Sequence, residues 1–165
     1  MASTISSATL TVTLTESVTL NGSNQGSTNT VTISSINEIY KRIVTCLANV
    51  DTTVAHFNTQ VDVEDSGIDT QDTKYIRVTN LDDTNSVNLN LQVDTTESGS
   101  GDADQNETAT ILLAAGESFI MGTPHDSIAV YDTDASVQTT LHDLESILID
   151  PGSNAVDVEV FVASV

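Results

Sequence analysis

The sequence predicts an all-β single domain, a β-sandwich or jelly roll with at most one short helix, and three observations predict it. Apolar residues recur at every second position through most of the 165 residues, the period of a strand with one buried face. The apolar set is aliphatic and largely β-branched, with aromatics at 4% and no Trp, which suits pleated surfaces because such side chains are stiff at χ1. Clusters of Gly, Asn, Asp and Ser punctuate the alternating runs at short intervals, as in antiparallel sheets.

Taken in order, Leu10, Val12 and Leu14 alternate with Thr9, Thr11 and Thr13, and Val18 and Leu20 extend the pattern to Asn21-Gly22, a hairpin signal. After a polar loop over 23–29, Val31 and Ile33 resume the alternation. Residues 39–47 fit helix or strand, and their β-branched content favours strand. Residues 62–73 read as an acidic loop. Residues 75–79 form a strand, and the turn formers of 80–85 join it as a hairpin to the alternating Val87, Leu89, Leu91 and Val93.

Residues 97–108 are a long, small and charged loop, of a length that usually carries function or mobility. Ala115-Gly116-Glu117 connects strands at 111–113 and 119–121, and Ile128, Val130 and Val137 follow. Leu141, Leu144, Ile147 and Leu148 recur at helical spacing, which predicts a helix over 141–149 stopped by Pro151-Gly152. Val156, Val158, Val160 and Val162 close the chain as a strand, pinning the C-terminus into a sheet. Neither a repeat nor a second compositional zone appears, so the expected organisation is a flexible arm over 1–7 and a β-sandwich over 8–165, a usual domain size.

Twenty-four acidic residues face four basic ones, for a formal charge of −20 at pH 7. Binding to nucleic acid or to an anionic membrane needs clustered Lys and Arg, and Lys41, Arg42, Lys74 and Arg77 make no such patch by sequence. Neither partner is expected. The acidity serves solubility and repulsion between copies, or work in a salty medium where screening blunts that repulsion. Cys46, the single cysteine, excludes an intrachain disulfide and lies in an apolar run, where a free thiol behaves as a small hydrophobe. The N-terminus has no signal-peptide pattern, and no apolar run reaches the length of a membrane span.

Acidic loops are the places where chemistry could sit. Asp62, Glu64 and Asp65 precede Gly67 in the manner of a calcium loop, but Thr73 stands where a bidentate Glu should close it. Asp102 and Asp104 offer oxygens at alternate positions without Gly or closing Glu. The default is solvated turns, with structural calcium as the alternative and no other cofactor or metal expected. His56, His125 and His142 fall in separate segments and in no catalytic motif. The many carboxylates select no glycosidase pair, and phosphate loops, nucleophile elbows and zinc helices are absent. No catalytic residue is assigned, and the protein is not expected to be an enzyme.

The run from Thr9 to Gly22, the run from Gly26 to Ile33 leading into Lys41-Arg42-Ile43-Val44, the segment from Tyr75 to Leu81, Ala115-Gly116-Glu117-Ser118-Phe119, and the ending from Val158 to Ser164 resemble small virion structural proteins of marine tailed bacteriophages, of the cyanophage type. The resemblance implies a structural protein of the virion, assembled in the host bacterial cytoplasm. It points to a capsid decoration or cement protein that binds the major capsid protein or other virion proteins, as a homo-oligomer such as a trimer. The alternatives are a tail, head–tail connector or fibre component, and a non-catalytic carbohydrate-binding β-sandwich. Residues 1–7 with the first strand are expected to reach a neighbouring subunit or the shell by adding to a sheet edge.

Overall fold

The alternation at the end of the chain sets the architecture. Val156, Val158, Val160 and Val162 are at most 1% exposed, so one face of their strand is sealed against a second sheet. A computed structural model describes residues 6–58, 67–94, 106–130 and 137–165, and its regular elements are all strands. They are β1 (Ala8–Thr15), β2 (Thr19–Leu20), β3 (Ser23–Asn24), β4 (Thr28–Ile36), β5 (Glu38–Cys46), β6 (Thr52–Asn58) and β7 (Ile68–Asp69). After these come β8 (Thr73–Asn80), β9 (Val87–Asp94), β10 (Asn106–Leu113), β11 (Ser118–Met121), β12 (Asp143–Asp150) and β13 (Val156–Ser164).

Two sheets stack as a β-sandwich. One runs β10-β9-β12-β6-β7, the other β11-β8-β13-β5, and all pairs are antiparallel except β6 with β7. Phe57, Leu89, Leu144, Ile147 and Ile149 of the first sheet meet Cys46, Ile76, Val78 and the β13 valines of the second in one apolar cluster. Each such buried aliphatic side chain contributes about 1.5–3 kcal/mol relative to its exposed state. The Tyr40 hydroxyl crosses between the layers to donate to the Val54 carbonyl at 3.3 Å. Burial pushes the Cys46 thiol up from its ordinary pKa, as expected of a thiol packed as a hydrophobe.

Two sequence expectations are corrected. Residues 143–150 are strand β12, not helix. A bulge at Glu145 lets Leu144 pair with Val93 and Ser146 with Gln92. The extra residue resets the inward alternation, so Leu144 and Ile147 both point into the core three positions apart and imitate a helical stripe. The segments 75–79 and 87–93 are not a hairpin either. β8 pairs with β11 and β13, whereas β9 pairs with β10 and β12, so residues 81–86 arch from one sheet to the other. The 114–117 link makes the reverse step from β10 to β11.

Asn80 ties the two arches together. Fully buried, it donates from Nδ2 to the carbonyls of Asn85 at 2.8 Å and of Leu113 and Ala114 at 3.2 Å. Its Oδ1 accepts the Asp82 N–H at 3.0 Å. Asp82 then accepts the N–H groups of Asn85 and Thr84 at 2.7 and 2.8 Å, and those bonds hold its carboxyl below the usual range.

Candidate assembly surface

The N-terminal strands belong to neither sheet. Among the described residues β1 pairs only with β4, and β2 only with β3, which makes a two-stranded ribbon over residues 8–36. The turn at its tip is the expected one: Asn21 and Gly22 have φ of 50° and 79°, the left-handed pair of a type I′ hairpin. Where the ribbon steps from β1/β4 to β2/β3, the Glu16 N–H donates to the Ser27 carbonyl at 2.8 Å. A Cβ on Gly26 would lie 2.1 Å from the Glu16 carbonyl oxygen, so this crossing requires glycine. At the root, the register slips between Ala8 and Leu10, and Ser35 adopts a φ of 65°, a costly conformation for a residue with a side chain.

The two faces of the ribbon differ chemically. Cross-strand pairs Thr11–Thr32, Thr13–Thr30 and Thr15–Thr28 make one face of threonines, with hydroxyl contacts at 3.3 and 3.4 Å. The pairs Leu10–Ile33 and Val12–Val31, with Leu14, make the other face apolar. Its root half packs on the body, where Leu10, Val12 and Ile33 meet Ile36, Tyr75, Ala163, Phe161 and Val165. Tyr75 and Phe161 pack edge to face there, 6.0 Å between centroids. Beyond the root the stripe continues uncovered: Leu14 is 55% exposed, Val31 51%, Val18 50% and Leu20 62%.

The surface that covers the root is the outer face of the β11-β8-β13-β5 sheet, and it too is covered only in part. Ile39 and Ile43 on β5 and Ile120 on β11 are 49%, 61% and 48% exposed. Among them lies an ion-pair cluster. Glu159 accepts from Arg77, and from Lys41 at 3.1 Å, while Arg77 also donates to Thr79 Oγ1 at 2.5 Å and sits 6.0 Å from the Phe161 ring centre. The Arg77 and Lys41 hydrogen bonds hold the Glu159 carboxyl below its usual range. A lowered carboxylate stabilises the fold above its unfolded-state pKa, and that contribution is lost as pH falls through the folded value. Replacing Glu159 by Gln should therefore lower the urea midpoint most at neutral pH, with the gap to wild type closing below about pH 4. A gap independent of pH would assign the loss to packing.

Charge is partitioned between these parts. Residues 1–50 hold Glu16 and Glu38 against Lys41 and Arg42, two minus two, so the net is zero; residues 51–165 hold the other 22 acids against Lys74 and Arg77, for −20. The ribbon carries one charge, Glu16, whose carboxylate accepts from the Ser27 hydroxyl. A charge count in windows of about fifty residues, rather than over the whole chain, singles out this neutral segment from sequence alone.

The proposed calcium ligands Asp62, Glu64, Asp65, Asp102 and Asp104 lie outside the described residues, as do residues 1–5 of the expected arm. Of the three histidines, His56 is exposed on β6, and His142 pairs its backbone with Ile128. His125, Asp126 and Asp143 are the group among the described residues whose ligand atoms lie within 4.8 Å of one another. Asp143 Oδ1 takes the His125 ring N–H at 2.8 Å and the Asp126 N–H at 2.7 Å, so its lone pairs are engaged in fastening this loop to β12. A shallow groove on the outer face of the other sheet is lined by Asn88, Asn90, Gln92, Thr110, Asp51, Asp150 and Leu148, with no aromatic ring against which a sugar could stack. Among the described residues no helix is long and apolar enough to cross a membrane. No family model, no curated protein and no solved structure matches the chain.

Proposed function

We propose that the protein is a non-catalytic structural component of a bacteriophage virion, a capsid decoration or cement protein that docks through its N-terminal ribbon and turns its acidic body to solvent. The observation that carries this reading is the charge partition. Outside the ribbon 23 acids face four bases, −19, a body suited to staying dissolved and apart from other bodies, while a ribbon with a single charge and an open apolar stripe is the part that can lie against another protein with little charge repulsion. The resemblance noted above supplies the setting, a particle assembled in the host cytoplasm and released into water.

The test is to purify intact particles by density gradient and label them with antibody against residues 51–165. Labelling distributed over the head supports the decoration reading. Labelling confined to the tail or neck favours the connector reading, to which the ribbon and the unpaired β5 edge are equally suited. Particles that lack the chain by mass spectrometry would end the virion reading altogether.

A further inference from the structure

We propose that the occupant of the open ribbon is a second copy of this chain: the distal half of one ribbon lies on the uncovered half of the outer β11-β8-β13-β5 face of a neighbour. The same fold displays both surfaces, each a leftover of one contact already made within the chain. Leu10, Val12 and Ile33 cover Tyr75, Phe161 and Ala163 at the root. Leu14, Val18, Leu20 and Val31 continue the ribbon stripe and Ile39, Ile43 and Ile120 continue the sheet face, each about half or more exposed among the described residues. A two-stranded ribbon is marginal by itself in water and gains stability when a third strand or a packed surface covers it. Both elements also have open backbone edges among the described residues, where β5 pairs only with β13 and β1 only with β4, so strand addition can accompany the apolar contact.

Charge favours this partner surface over the rest of the body. Body against body sets −19 against −19, whereas the ribbon brings only Glu16. The face that receives it holds Lys41 and Arg77, paired to Glu159, so two of the four basic residues of the chain lie there, while Arg42, opposite Val160, alternates onto the other side of the edge strand. Each copy offers one ribbon and one face. The contact is therefore heterologous, and copies close into a ring or into a reciprocal pair.

This inference shares with the proposed function only the use of the ribbon as a contact surface and needs no virion, so it is tested on the purified chain. A ribbon variant, L14T/L20T/V31T, and a face variant, I39T/I43T/I120T, remove apolar contacts at exposed positions while placing strand-favouring β-branched Thr at each and keeping the net charge. Sedimentation velocity should show the wild type as a closed oligomer at seawater-like salt. Both variants should dissociate at concentrations at least tenfold higher than the wild type, with unchanged circular dichroism. Mixing the variants should form a 1:1 dimer, because one retains an intact face and the other an intact ribbon. A wild type that stays monomeric over the concentration and salt range overturns the inference and leaves the virion reading standing if that chain still labels particles. Dissociation by the ribbon variant but not the face variant also overturns it, since the ribbon would then bind elsewhere. A mixture of variants that forms no dimer does the same.

Discussion

Replacing Asn80 by Asp should destabilise the protein by about 4–5 kcal/mol at pH 8, the largest effect expected of any isosteric change in it. The amide donates to three backbone carbonyls from a site with no exposure. Aspartate loses those donors and places a charge against carbonyl oxygens. Asn80→Ala should cost about 3 kcal/mol by leaving buried acceptors unpaired, a fall in Tm of about 6–12 °C for a chain of this size. The pH dependence separates the causes. Burial raises the pKa of a carboxyl in this position; such a group is harmless below its unfolded-state pKa and destabilises increasingly as pH rises toward its folded value. The Asp variant should recover much of its deficit between pH 8 and pH 5, where a protonated carboxyl donates again, and the Ala variant should not. Equal deficits at both pH values would mean that the arches are held by something other than the Asn80 amide.

Salt should raise both stability and self-association. The charge of −20 resides in residues 51–165, and the compact body holds those carboxylates closer together than the unfolded chain does. Raising sodium chloride from about 0.02 to about 1 M shortens the screening length from roughly 20 to roughly 3 Å. The expected gain is about 2 kcal/mol, or about 4–8 °C in Tm. Ribbon-mediated association should tighten over the same range because the bodies it brings together repel less, with a further gain from calcium or magnesium wherever carboxylates of adjacent copies converge. Contacts that depended chiefly on Lys41, Arg77 and Glu16 would weaken with salt instead. Thermal melts and sedimentation across a salt series, with and without chelator, distinguish the two. A steady loss of oligomer with added salt would show that unlike charges hold the copies together.

The strands whose alternation runs unbroken were legible in the sequence. Val156 to Val162 and Val87 to Val93 each fill one face, and Asn21-Gly22 encodes its turn in its own dihedral preference. Cys46 as a buried hydrophobe was equally legible from the apolar run around it. β12 was not, because the bulge at Glu145 depends on the partners β9 and β6 and leaves an apolar spacing that a helix also produces. Nor did local sequence say that residues 80–86 join different sheets. Asn and Asp serve a tight hairpin and a sheet-to-sheet arch alike, and only the burial of Asn80 between two links decides for the arch.

The assembly surface divides in the same way. The ribbon's single charge and its apolar alternation are written in residues 8–36, where Leu10, Val12, Leu14, Val31 and Ile33 forecast a single buried face. Which part of that face the body covers is a property of the tertiary structure. The root meets Tyr75, Phe161 and Ala163, residues 39 or more positions away in sequence from Ile36, and the tip extends beyond them. Period and turn chemistry act between near neighbours, so the sequence by itself determined strands, turns and the all-β class. Burial is a contest among distant segments for limited apolar surface, so only the folded chain decided which sheet each strand joined and which half of the ribbon was left open.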